Sequence, residues 1–145
     1  MAHCGPQLMP SIRSAETASL AHTPIIAIVE DDASVRAATE CLVRSLGFVA
    51  YPFASAGEFL QSSRLNEASC VIADVQMPGM SGIELQSRLV ALGRQTPIIF
   101  MTAFHNESIR ARAMQEGAIG FLAKPVDAQT LIECIDKAVK GYDGL

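Results

Sequence analysis

Short, unbroken apolar runs alternate along this chain with longer stretches in which apolar positions recur every three to four residues. The first run, Ile25-Ile26-Ala27-Ile28-Val29, is closed by Glu30-Asp31-Asp32. A run of that length bounded by polar or turn residues reads as a buried strand. Ala33 to Leu46 follows, with Val35, Ala38, Leu42 and Val43 on one face at helical spacing and Gly47 as the stop. Phe48 to Phe53 reads as a second strand. Ser55-Ala56-Gly57-Glu58 has the form of a capping box and opens a short helix through Phe59 and Leu60. Cys70-Val71-Ile72-Ala73 is a third strand ending on Asp74, before the turn Val75-Gln76-Met77-Pro78-Gly79. A second capping box, Ser81-Gly82-Ile83-Glu84, opens a helix carrying Leu85, Leu89 and Leu92 that Gly93 closes. Pro97 to Met101 ends in Thr102, and Asn106 caps a fourth helix that Gly117 ends. Ile119 to Ala123 runs into Lys124-Pro125, and Asp127 caps a fifth helix in which Leu131, Ile132, Ile135 and Val139 share a face.

Five strand–helix units in succession imply parallel strands, right-handed crossovers and helices on both faces of an α/β sheet. A chain of 145 residues suits one core, and although half its residues are hydrophobic, no apolar run approaches the length of a membrane span. We therefore expect a soluble, cytoplasmic protein with no membrane contact. Eleven basic against 15 acidic residues give a net charge of −4 with no basic cluster, so no nucleic-acid contact is expected from this segment. Cys4, Cys41, Cys70 and Cys134 are scattered and form no CxxC, which favours free thiols in a reducing compartment over disulfides or zinc. Residues 1–23 are small, Ser/Thr/Ala-rich and aperiodic, and read as a flexible tail without the basic and apolar regions of a secretory signal.

The strand ends carry the candidate chemistry. In a parallel sheet they share one edge, where open α/β sheets bind ligands. Three or four carboxylates, the Thr102 hydroxyl and the Lys124 ammonium would meet there. Acids this close raise one another's pKa unless a cation compensates them. Magnesium, which takes few protein oxygens and works beside phosphate, suits a small acidic cup better than calcium. Equally, Glu30, Asp31 and Asp32 could merely cap the first helix and favour its dipole. Lys124, between apolar Ala123 and Pro125 at a strand end, is badly placed for a casual surface role and shifts the balance towards a phosphoryl site.

The set Val29-Glu30-Asp31-Asp32, Asp74-Val75-Gln76-Met77-Pro78-Gly79-Met80-Ser81-Gly82, Met101-Thr102-Ala103 and Gly120-Phe121-Leu122-Ala123-Lys124-Pro125 resembles the receiver domain of two-component response regulators, in the nitrogen-fixation-regulator-like subgroup. The match runs from about Pro24 to Lys140. The resemblance implies a flavodoxin-like, doubly wound (βα)5 fold with a five-stranded parallel sheet in the order 2-1-3-4-5. It implies that Asp74 is the phosphoacceptor, that Asp31 binds Mg2+ directly, Glu30 through water and Gln76 through its backbone carbonyl, and that Asp74 completes the metal set. Glu30 stands where Asp is commoner, and Asp32 lies outside the ligand set. Lys124, the Thr102 hydroxyl and the Ala103 amide would neutralise the phosphoryl oxygens. Thr102 and Phe121 would form the switch that remodels the face of helix four, strand five and helix five. Gln76 and Phe104 would flank the hydrolytic water. The Lys124–Pro125 bond is expected to be cis. The implied partners are a histidine kinase or phosphotransfer protein and, on phosphorylation, a second copy of the chain.

Rival classes fit less well. An aspartate-nucleophile phosphatase wants an acid two residues after its nucleophile, where this chain has Gln76. A flavodoxin's phosphate would be repelled by Glu30-Asp31-Asp32. The receiver reading comprises residues 24–140, with 141–145 a tail or the start of a linker. It leaves open a free-standing signalling module or the receiver piece of a longer DNA-binding transcription regulator. Its chemistry would be limited to magnesium-dependent self-phosphorylation and self-dephosphorylation rather than turnover of a separate substrate.

Overall fold

The computed structural model describes residues 23–143, so the tail reading of residues 1–23 and the place of Cys4 lie outside the described residues apart from Thr23. Five strands, β1 (Ile25–Val29), β2 (Val49–Phe53), β3 (Cys70–Asp74), β4 (Ile98–Thr102) and β5 (Gly120–Ala123), form one parallel sheet in the order β2-β1-β3-β4-β5. Five α-helices connect or follow them: α1 (Ala33–Ser45), α2 (Ala56–Gln61), α3 (Gly82–Ala91), α4 (Glu107–Gln115) and α5 (Ala128–Asp143). This is the flavodoxin-like order expected.

Alternation along each strand divides the core in two. Ala27, Val29, Val71, Ala73, Ile98 and Phe100 face α2, α3 and α4, packing with Phe59, Leu85, Leu89 and Ala113. Ile26, Ile28, Cys70, Ile72, Ile99 and Met101 face α1 and α5, packing with Val43, Leu131, Ile135 and Val139. The central strands β3 and β4 are buried at every residue, which is why their sequences are unbroken apolar runs rather than alternating ones.

Several local expectations need correction. Ser81 and Glu84 form the reciprocal capping box, but at α2 only half of one forms. Ser55 Oγ accepts from the Glu58 amide, while the Glu58 carboxylate accepts from the N–H of Ala54 rather than of Ser55. In α1 the inward position falls to Thr39 and not to Ala38, which is exposed. The period from Val35 reaches 39 before 42 and 43, and burial is tolerated because the Thr39 hydroxyl donates to the Val35 carbonyl at 2.8 Å. Leu92 is the C-cap of α3 and 59% exposed, beyond the last turn that touches the sheet. A 3-10 turn at Leu65–Glu67 between α2 and β3 had no periodic signal to announce it. Gly117 ends α4 with φ +107°, the left-handed geometry that glycine adopts without a Cβ penalty.

Candidate functional site

Register brings the strand-end groups level. Val29 pairs with Ala73 and Asp74 with Met101, so Glu30 follows β1 beside Asp74 at the end of β3. Thr102 pairs with Ala123, and the Lys124 N–H donates to the Thr102 carbonyl at 2.8 Å, carrying the β4–β5 ladder one residue further. The Lys124–Pro125 peptide is cis, as expected. Glu30, Asp74 and Thr102 are 0%, 5% and 1% exposed, whereas Asp31 is open to solvent.

The Lys124 ammonium bridges the two buried acids, 3.0 Å from Asp74 Oδ2 and 2.9 Å from Glu30 Oε1. The contact with Asp74 is a directed hydrogen bond; Glu30 Oε1 is close enough for an ion pair but has no well-directed donor. Glu30 Oε2 accepts from the Asp32 N–H, and Asp74 Oδ1 from the Gln76 N–H, each at 3.1 Å. Burial holds the Glu30 carboxyl above its ordinary pKa, against the pull of Lys124 and the Asp32 amide. Burial works to lower the pKa of Lys124, but its contacts with Glu30 and Asp74 outweigh that and raise it.

Asp32 turns away from this cluster. Its Oδ1 accepts from the Ser34 and Val35 amides at 2.9 and 3.0 Å, capping α1. Of the three consecutive acids, Asp32 alone bonds the amides of the α1 N-terminus among the described residues. Glu30, Asp31 and Asp74 each offer an oxygen within 4.8 Å of the others. Three carboxylates against one ammonium leave an excess of negative charge, and the donors are all hard oxygens. Together with the buried Glu30 Oε1 that lacks a directed hydrogen bond, this set suits a divalent cation of magnesium's kind.

Thr102 Oγ1 lies 3.0 Å from the Phe104 carbonyl and 3.3 Å from Gln76 Oε1, and accepts from the Phe104 amide at 3.0 Å. The Gln76 side chain is thus tied to Thr102, a link that reading Gln76 for its backbone carbonyl missed. The Phe104 ring is 69% exposed, and Ala103 is exposed beside it. Phe121 is half-buried on β5, 6.1 Å from the Phe100 ring and 6.4 Å from that of His105, edge-on at 82°. Gly82 begins α3 with its N–H on the Val75 carbonyl at 2.9 Å. A Cβ there would overlap the Asp74 carbonyl oxygen, so glycine lets α3 start against the peptide that carries the acid.

Sequence reasoning also passed over Arg36, one turn into α1. Its Nη1 donates to the Glu30 carbonyl at 2.8 Å and lies 3.4 Å from that of Asp31.

A doubly wound parallel sheet with an acid cluster and a lysine at its carboxyl edge places its charged groups where open α/β sheets bind ligands. Residues 26–136 match the response regulator receiver domain family, and the chain belongs to it. Nodulation protein W of Bradyrhizobium diazoefficiens is 40% identical over 116 residues, covering 80% of this chain and 51% of that protein. Transcriptional regulatory protein FixJ of the same organism is 36% identical over 115 residues, covering 79% and 56%. The solved structure of response regulator StyR is similar with a TM-score of 0.78 at 40% identity, covering 84% of this chain and 62% of that one. The chain spans about half the length of the curated relatives it matches. No helix among the described residues is long and apolar enough to cross a membrane.

Proposed function

We propose that this receiver, residues 24–140, accepts a phosphoryl group on Asp74 from a histidine kinase or phosphotransfer protein, and that the acyl phosphate sets the state of an output. The observation that carries the reading is the Lys124 ammonium between Glu30 and Asp74, beside the buried Thr102 hydroxyl. An Asp74 oxygen attacks phosphorus while the bond from phosphorus to the donor's imidazole nitrogen breaks, and the imidazole leaves with that electron pair and takes up a proton. Lys124 follows the charge from the Asp74 carboxylate to a phosphoryl oxygen. The Thr102 hydroxyl leaves Gln76 and Phe104 for a second oxygen, and the Ala103 amide serves a third. Asp31 would hold magnesium directly, Glu30 through water, Gln76 by its carbonyl, and Asp74 by its carboxylate, and a cation held there would supply neutralisation of phosphoryl charge.

Movement of Thr102 gives the Phe121 ring space to turn inward. That change alters the α4–β5–α5 face, where a second copy of the phosphorylated chain docks. The turnover is confined to the protein's own phosphorylation and dephosphorylation, in the cytoplasm. Because relatives such as FixJ are transcriptional regulatory proteins, the output favoured is transcription, delivered by an effector domain rather than by this segment. The phosphatase alternative is disfavoured by Gln76, an amide where a catalytic acid would be needed.

Incubation with acetyl phosphate in magnesium or in excess chelator, read by intact mass, tests the reading. A gain of one phosphoryl group in magnesium alone is expected. No gain in either condition would contradict it.

A further inference from the structure

The turn between β1 and α1 carries two of the three clustered carboxylates, and it is fastened at two points. Asp32 bonds forward to the first amides of α1. Arg36 reaches back from that helix to the carbonyls of Glu30 and Asp31, two successive peptides of the turn, with no carboxylate partner among the described residues. Three acids, Glu30, Asp31 and Asp32, lie within six residues before it in the chain, yet its Nη1 is placed on backbone oxygens.

We propose that Arg36 is a positioning residue for the cation cluster: by holding the Glu30 and Asp31 carbonyls, it keeps their carboxylates aimed at Asp74. The proposal rests on reading that cluster as a magnesium site. Groups that orient metal ligands typically change affinity by about 10–100-fold when removed. The charge of Arg36 acts in the opposite direction, because a guanidinium beside a cation site repels the cation. Removing Arg36 would therefore tighten binding if charge dominated, and weakens it if positioning dominates. We expect weakening, since the carbonyl contact at 2.8 Å is short and direct, while the repulsion is screened at a half-exposed position.

Mg2+ binding to the whole chain is measured by calorimetry, and Mn2+ binding by its paramagnetic relaxation, for wild type, Arg36→Met, Arg36→Gln and Arg36→Lys. Amide spectra of the metal-free proteins are recorded alongside. Loss of affinity on the order of 10-fold is expected for Arg36→Met and Arg36→Gln, with shifts of the Glu30, Asp31 and Asp32 amides before any metal is added. Arg36→Lys, which keeps a charged donor, should recover most of the affinity. Equal or tighter binding by the Met and Gln variants, or a Lys variant no better than Met, would overturn the role of Arg36 while leaving the magnesium site intact. A wild-type protein that binds neither ion would overturn both.

Discussion

Replacing glycine by alanine at the two glycines of the first turns of α2 and α3 should move stability in opposite directions. Helix propensity treats both alike, favouring alanine by up to about 1 kcal/mol. At Gly57 the new Cβ meets only Ser55 Oγ, at 3.9 Å, an ordinary contact. Gly57→Ala should therefore stabilise by roughly 0.5–1 kcal/mol. At Gly82 the new Cβ overlaps the Asp74 carbonyl oxygen and lies 3.1 Å from both the Asp74 carbonyl carbon and Phe100 Cε1. Phe100 is fully buried and the Asp74 peptide belongs to the central strand, so neither yields as a flexible side chain would. Overpacking costs about 1–3 kcal/mol, and a clash with backbone rather than with a flexible side chain falls in the upper part of that range, about 2–3 kcal/mol, so that after the propensity gain a net loss of roughly 1–2 kcal/mol remains. For a domain of this size each kcal/mol moves the midpoint by about 3–5 °C, so Gly82→Ala should melt roughly 3–10 °C below wild type and Gly57→Ala a few degrees above it. Thermal and urea denaturation followed by circular dichroism, without metal, gives both values. A Gly82→Ala protein as stable as wild type would refute the close approach of α3 to the Asp74 peptide.

Burial pushes the Cys70 thiol up to about 12, so it should resist iodoacetamide at pH 8 in the native protein and react once urea unfolds it; native labelling of Cys70 as fast as that of Cys41 would contradict its place in the core. Phe104→Ala should speed loss of the phosphoryl group while magnesium affinity stays unchanged, if the exposed ring, whose backbone amide bonds Thr102, limits access of water to the acyl phosphate; an unchanged decay rate would show that the ring does not gate water. Hydrogen bonds from Thr130 hold the Asp127 carboxyl below its ordinary value of 3.8. A lowered folded-state pKa contributes stability that is present above 3.8 and lost as pH falls through the folded value. Asp127→Asn, which keeps a capping oxygen without a titrating proton, should lose that acid-side dependence; an unaltered melting profile from neutral pH to pH 2 would refute it.

The strands were legible because the sheet is parallel and covered on both faces, which writes β1, β3 and β4 as apolar runs, and the helices because their caps are local. What local pattern could not supply was the partner of each polar group. Glu58 reaches Ala54 instead of its own N-cap, Thr39 satisfies its hydroxyl within its helix and so takes the place foreseen for Ala38, and Leu92 falls one step past the sheet. At the candidate site, strand ends suggested that Glu30, Asp74, Thr102 and Lys124 share an edge. That Lys124 bridges both acids, that Gln76 ties its side chain to Thr102, and that Asp32 alone bonds the first amides of α1 depend on register and rotamer, which residue types do not encode. Arg36 could have been suspected, because an arginine one turn into a helix that follows three acids has backbone carbonyls as well as carboxylates within reach.

Locating the phosphoryl group on the chain tests the assignment of Asp74 most directly. After exposure to acetyl phosphate and magnesium, borohydride reduction converts a phosphorylated aspartate to homoserine, which peptide mass mapping then places. Homoserine should occur at position 74 alone, and the Asp74→Asn protein should carry none. Homoserine at another aspartate of the wild-type chain, or equal phosphate uptake by Asp74→Asn, would contradict the assignment.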